Sequence, residues 1–290
     1  MTGDGTSPPP RNVRDLQKAL AAESKREGAL VGRIQRRLGA IVVAEMLTRV
    51  DLGTEGPPLL VKGGSALELR LGLAESRTSK DLDAVVRGSI ATFMDQAAEA
   101  VAQPLAGFTG KVEKVAEIAV PGMDPRPRQF LVKLAYAGKP FSTITVELSP
   151  PEGRAAIEYD EVQTPSLAGI GLDDRPVIAC LTVKYQIAQK LHACTHQRDD
   201  GVANDRARDL VDILLLEPLL DELPVGDVKA ACVDTFTVRG GHAWPPQLLV
   251  PPAWASIYAA AAVGLESRVP ADVLTAAELV RALIVRIDVA

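Results

Sequence analysis

Val61-Lys62-Gly63-Gly64-Ser65 and, further along, Arg77-Thr78-Ser79-Lys80-Asp81-Leu82-Asp83 set a glycine turn ahead of two carboxylates spaced Asp-x-Asp. Leu59-Leu60-Val61 reads as a short buried strand that ends at Gly63-Gly64, where the lack of Cβ lets the backbone approach a phosphate. Ser65 is expected to cap the helix that follows, in which Ala66, Leu67, Leu69 and Leu71 mix with Glu68 and Arg70. The N-terminus of such a helix presents N–H groups suited to phosphate oxygens. On a strand, side chains at i and i+2 share a face, so Asp81 and Asp83 point one way while Leu82 packs inward. Two adjacent carboxylates suit a hard divalent cation such as Mg2+, which takes oxygen ligands together with substrate phosphates. Gly-Gly-Ser alone is an ordinary turn and Asp-x-Asp alone an ordinary half-solvated strand. In this order, with fifteen residues between Ser65 and Asp81, they point to a metal and nucleotide site.

Working outward, apolar spacing predicts helices over 12–26 (Leu16, Leu20) and 29–50 (Leu30, Ile34, Leu38, Val42). A strand at 81–86, a helix at 89–102 and strands at 112–120, 129–136 and 143–148 should follow, the alternation being clearest in Phe130, Val132, Leu134 and in Ile144, Val146, Leu148. Glu147 lies between Val146 and Leu148 and is the acidic residue best placed to add a third carboxylate. Its plain alternative is a polar residue on the open face of an edge strand. The Pro-, Gly- and acid-rich stretch 149–175 reads as a connection. An apolar run at 177–181 leads to Thr182 as N-cap of a helix to about 195, with Lys190 in its second half. A helix from 204 to 217, stopped by Pro218, sets Asp205, Asp209 and Asp212 on one polar stripe opposite Leu210, Ile213 and Leu214. Helical patterns recur at 256–263 and 271–284.

These motifs, with Gln186-Ile187-Ala188-Gln189-Lys190-Leu191-His192-Ala193 and Arg206-Ala207-Arg208-Asp209-Leu210-Val211-Asp212-Ile213, resemble the nucleotidyltransferases of the DNA polymerase beta superfamily. Within it they resemble the AbiEii and MenT-type toxins of bacterial toxin-antitoxin systems. The expected fold is α/β (α+β): a mixed nucleotidyltransferase sheet with flanking helices, plus a mainly helical C-terminal domain. The expected division is a tail at 1–11, a core domain at 12–170 and a helical domain at 171–290 that contributes active-site residues. The resemblance implies nucleotidyl transfer with Asp81, Asp83 and Glu147 on Mg2+ or Mn2+. It also implies Lys62, Gly63, Gly64, Ser65, Arg77 and Lys190 on the NTP, and Ser79, Lys190 and Asp212 in catalysis, with Asp209 and Arg208 as further candidates. It implies CTP as donor, the 3′ acceptor end of tRNA as acceptor, and an antitoxin partner that can act by phosphorylating Ser79 or Thr78. The alternative is a nucleotidyltransferase that modifies a small molecule such as an aminoglycoside, or a protein hydroxyl.

Composition bounds these readings. With 290 residues and 47% hydrophobic content the chain can bury a sizeable core. No window supplies eighteen uninterrupted apolar residues, so no membrane span is expected. The first eleven residues, with three consecutive prolines and no apolar core, read as a tail rather than a signal peptide. Cys180, Cys194 and Cys232 are odd in number and widely spaced, which speaks against a disulfide framework and for a reducing cytoplasm. His192 and His196 stand at i and i+4, but without a His-Glu-x-x-His pattern or an evident third ligand no metal is expected there. A net charge of −5 requires any nucleic-acid surface to be local; the candidates are Arg33, Arg36, Arg37 and Arg126, Arg128, Lys133, Lys139. Trp244 and Trp254 are expected to anchor packing rather than stack on bases.

Overall fold

The structure is a computed structural model that describes residues 8–119, 125–172, 176–197 and 204–290. Its described residues fall into two compact units, one drawn from Met1–Ala74, Thr78–Pro151 and Glu161–Cys180, the other from Glu75–Arg77, Glu152–Asp160 and Leu181–Ala290.

The first unit is built on a mixed sheet. Helices α1 (Val13–Glu27) and α2 (Val31–Leu47) precede β1 (Leu59–Val61), α3 (Gly63–Leu71), β2 (Leu82–Val86) and α4 (Ile90–Ala102). The strands β3 (Phe108–Glu117), β4 (Arg128–Tyr136) and β5 (Lys139–Ser149) then form an antiparallel meander. With β6 (Tyr159–Gln163) and β7 (Val177–Leu181) the order is β3-β4-β5-β2-β1-β7-β6, β2 running parallel to β5 and β1 antiparallel to β2. Helix α2 lies against β5 at Gly39, where a Cβ would come within 2.6 Å of Ile144 Cδ1. The core between them includes Leu38, Val42, Phe130, Val132 and Val146, each at most 4% exposed.

Several expectations change here. The strand expected at 112–120 begins earlier, at Phe108, and its end at Val120 lies outside the described residues, as do residues 1–7 of the tail and 173–175 of the connection. The connection itself carries β6, whose alternation is blurred by Asp160 and Glu161. Strand β5 lies between β4 and β2, so Glu147 is on a central strand and not an edge.

The second unit is helical. Helix α5 (Val183–Thr195) is followed by α6 (Ala207–Leu216), α7 (Val225–Arg239), α8 (Trp254–Ala262) and α9 (Val273–Asp288). Helix α6 is central, touching α5, α8 and α9. It therefore buries every residue from Asp209 to Leu216, so Asp209 and Asp212 of the expected polar stripe are interior while Asp205, before the helix, is exposed. Helix α6 starts at Ala207 rather than near 204, because the Asn204 side chain turns away to donate to the main-chain oxygens of Ala193, Cys194 and His196. Helix α6 ends at Leu216 with Glu217 as its cap, as expected from Pro218, and Pro218 sits in the first turn of a following 3-10 segment, Glu217–Leu220. Trp254 is fully buried with its indole N–H on Asn204 O at 2.7 Å, and Trp244 donates to Asp288 Oδ1 at 3.0 Å, so both anchor packing. The three cysteines are free and buried. Among the described residues no helix is long and apolar enough to cross a membrane.

Candidate active site

In the sheet unit the glycine turn and the carboxylates meet. Strand β1 ends at Val61, the Lys62 N–H bonds to Asp83 O at 2.8 Å, and α3 begins at once. Gly63 takes φ +63, and a Cβ there would stand 2.5 Å from Asp83 Oδ2, so only glycine lets this carboxylate lie against the turn. Ser65 is not the expected cap. Lys62 holds the N-cap position without a side-chain bond, and Ser65 sits inside the helix, where its hydroxyl donates to Asp81 O at 2.6 Å. Ser79 Oγ donates to the same oxygen at 3.0 Å. Both bonds use the main-chain carbonyl and leave the Asp81 carboxylate to other partners. The segment carrying Ser79 is pinned by Glu68, which accepts its backbone N–H and pairs with Arg33 at 3.0 Å. Burial pushes the Glu68 carboxyl up, and these contacts offset part of that rise.

Asp81 and Asp83 are half-buried, Asp81 just before β2 and Asp83 within it, with Leu82 buried between them. The parallel register sets Asp83 beside Glu147 on β5, and Gln129 donates to Glu147 Oε1 at 2.6 Å. Lys62, a candidate for the nucleotide, reaches Ser149 Oγ at 2.7 Å. The donor set is Asp83 and Glu147, paired in register, with Asp81 two residues before Asp83, beside a turn that a Cβ would fill. That fits a hard divalent cation and a phosphate.

The remaining candidates gather inside the helical unit. Arg77 grips Asp212 with two parallel bonds, Nε to Oδ1 and Nη2 to Oδ2, both 2.7 Å. Lys190 donates to Asp212 Oδ2 and, at 3.1 Å, to Asp209 Oδ1. Asp212 is fully buried, Asp209 and Lys190 nearly so. Two cations face two carboxylates, which is the condition for burying charge at all. Burial alone would raise the Asp212 carboxyl, but the charges of Lys190 and Arg77 outweigh it and hold its pKa below the ordinary value. Burial likewise works to lower the Lys190 ammonium, and Asp212 and Asp209 outweigh it in the other direction. Arg208 stays outside this cluster, half exposed and 4.0 Å from Asp205. The basic clusters proposed for nucleic acid are largely spoken for. Arg37 is buried on Glu27, Arg33 serves Glu68, and Arg128 and Lys133 pair with Glu117 and Glu113.

Sequence reasoning missed the positioning roles of Glu68 and Gln129. Glu68 was an exposed-looking residue of an apolar helix, and only the long-range partner Arg33 reveals it.

The mixed sheet thus sets a glycine turn against an Asp-x-Asp strand, with a third carboxylate on the parallel neighbour, the arrangement expected of a nucleotidyltransferase. The family model described as the nucleotidyl transferase AbiEii toxin of type IV toxin-antitoxin systems matches residues 45–279, and the chain belongs to that family. It is accordingly a toxin nucleotidyltransferase, an enzyme class that uses a divalent metal ion and an NTP, with an antitoxin as counterpart. Among solved structures it is similar to the nucleotidyltransferase toxin MenT4 of Mycobacterium tuberculosis H37Rv, at 20% identity over 88% of this chain and 96% of that one, with a TM-score of 0.41. No curated protein matches the sequence.

Proposed function

We propose that the enzyme transfers a nucleotide from an NTP, with the pyrimidine nucleotide CTP as donor, to the 3′ acceptor end of tRNA, which blocks aminoacylation and so arrests translation. The reading rests on the carboxylate register, Asp83 beside Glu147 with Asp81 at the mouth of β2, against the Gly63 turn. Asp81, Asp83 and Glu147 would hold Mg2+, which when bound neutralises charge developing on the α-phosphorus and the departing pyrophosphate. Gly63, Gly64 and Ser65 cradle the phosphates through the first turn of α3, with Lys62 and Arg77 as further contacts. Lys190 balances phosphate charge and Asp212 orients the attacking hydroxyl; these two roles follow from the family resemblance. The antitoxin would silence the enzyme at Ser79 or Thr78. Thr78 is exposed, whereas the Ser79 hydroxyl is engaged with Asp81 O, so a phosphate there would both break that bond and place negative charge beside the carboxylates.

A second reading, transfer to a small molecule or to a protein hydroxyl, is favoured by one observation. Arg33, Arg37, Arg128 and Lys133 are already ion-paired, which weakens the case for a broad phosphate-binding surface on the sheet unit. Incubation of the protein with total tRNA, Mg2+ and each radiolabelled NTP, with Asp81→Ala as control, separates the two. Label on tRNA from CTP that vanishes in the variant is the expected result. Label on no RNA, but on a small acceptor or on protein, establishes the second reading.

A further inference from the structure

The chain has three histidines, and the fold brings all of them together. His192 lies in the last turn of α5, His196 is the residue that ends that helix, and His242 follows α7. One ring nitrogen from each lies within 4.8 Å of the other two. The i, i+4 pair was legible in the sequence; the third member, 46 residues beyond His196, was not, because it arrives through the packing of α7 on α5.

The hydrogen bonds around the rings fix which nitrogen carries the lone pair in His192 and in His242. His192 Nε2 lies 2.9 Å from Gly240 O, and a carbonyl only accepts, so Nε2 carries the proton and Nδ1 the lone pair. The Thr195 hydroxyl spends its one proton on Leu191 O at 2.6 Å and so accepts from His242 Nε2 at 2.8 Å. That leaves the lone pair of His242 on Nδ1. His242 Nδ1 and His196 Nδ1 are both buried and have no hydrogen-bond partner among the described residues. A buried polar atom without a partner costs about 1–3 kcal/mol, and here two of them stand in one cluster. Metal-bound histidines show this pattern, one nitrogen donating to a carbonyl or hydroxyl while the other binds the ion.

We propose that His192, His196 and His242 form a binding site for a borderline divalent transition-metal ion, Zn2+ in the first instance, that ties the end of α5 to the segment after α7. Imidazole nitrogen suits Zn2+ and not Mg2+, so this site and the carboxylate site select different ions. Ligand nitrogens on a tetrahedral Zn2+ stand about 3.4 Å apart, so the cluster closes by about 1 Å on loading. His196 and His242 are half-exposed, which leaves the fourth position to water. Phe236 packs edge-on against both His192 and His242 and forms an apolar wall. Arg239, the nearby cation, is matched by a two-pronged bond to Glu152 at 2.7 and 3.0 Å, so its charge is already balanced.

The test uses the full chain without a polyhistidine tag, stripped of metal and titrated with Co2+ in the presence of excess Mg2+. One equivalent should bind with the intense visible bands of tetrahedral Co2+, and one equivalent of Zn2+ should remove them. His242→Gln and His196→Gln should abolish the bands, Asp81→Ala should leave them intact, and Thr195→Val should weaken binding about tenfold through loss of the outer hydrogen bond. Far-UV circular dichroism identifies any variant that fails to fold, and Thr195→Val and the wild-type spectrum then decide. Absence of tetrahedral bands in the wild type, or bands that persist in folded His242→Gln and His196→Gln, would overturn the proposal.

Discussion

The carboxylates of the sheet unit and those of the helical unit have opposite electrostatic situations. Asp81, Asp83 and Glu147 are half-buried, with Asp83 and Glu147 paired in register and Asp81 two residues before Asp83, an arrangement of like charges that a bound cation eases. Asp209 and Asp212 are buried on the central helix and already hold their cations, Lys190 and Arg77. The difference teaches that a shared family motif does not imply a shared physical role. In the first group the carboxylates gather at the place proposed for a metal ion, whereas in the second they share two buried cations, so the substrate roles proposed for Lys190 and Asp212 come on top of a role in the fold.

The sharpest way to break this contrast is to remove one member from each side. Asp81→Ala should cut nucleotidyl transfer by about a thousandfold or more, the loss expected when metal stabilisation worth several kcal/mol disappears, while urea unfolding stays within about 0.5 kcal/mol of wild type. Asp212→Ala should cost about 3–5 kcal/mol of stability, because Lys190 and Arg77 then face a single carboxylate in a buried setting. Lys190→Met should destabilise similarly, and adding Asp209→Asn should restore most of the loss by returning the cluster to neutrality. A folded but inactive double variant would show that Lys190 acts on substrate as well as on the fold.

Smaller effects sharpen the same comparison. Gly63→Ala should cost about 2 kcal/mol through its left-handed backbone, and it should displace the Asp83 carboxylate that fills the Cβ position. A crystal structure or a metal-affinity measurement on that variant would register the displacement. Ser79→Glu should lower transfer about tenfold or more, read as turnover at saturating NTP, because the added charge repels the triphosphate. Undiminished turnover would remove Ser79 as a regulatory point. The smallest effect is one of pH. The Asp212 carboxyl, faced by Arg77, Lys190 and Asp209, is held below its unfolded value. Its contribution to stability is therefore fully present above about pH 4 and is lost as pH falls through the folded value. Chemical denaturation at pH 7 and at pH 3 should show this loss, and Asp212→Asn should reduce it.

The sheet unit was the more legible part because its signals are local. The Gly63-Gly64 turn, the Asp81-Leu82-Asp83 alternation and the apolar period of β4 and β5 each sit within a few residues. Strand β6 escaped because two of its five residues are acidic, and α7 escaped although Val228, Ala231, Cys232, Thr235 and Phe236 carry its helical period. What the chain could not announce is long-range partnership. Arg77 with Asp212 spans 135 residues, Glu68 with Arg33 spans 35, and burial of α6 places Asp209 and Asp212 of the polar stripe in a salt-bridged interior. The same limit applies to the histidines, two adjacent in sequence pattern and the third supplied by tertiary packing.

The most direct test of the central claim is a titration with Mn2+ in the presence of NTP, followed by electron paramagnetic resonance, on wild type, Asp83→Asn and the Lys190→Met/Asp209→Asn pair. NTP-dependent Mn2+ binding that collapses in Asp83→Asn and persists in the folded pair, with weaker NTP affinity from the loss of Lys190, is the predicted result. Binding that survives in Asp83→Asn, or that is lost only in the helical-unit pair, would contradict the assignment of the metal and nucleotide to the sheet carboxylates.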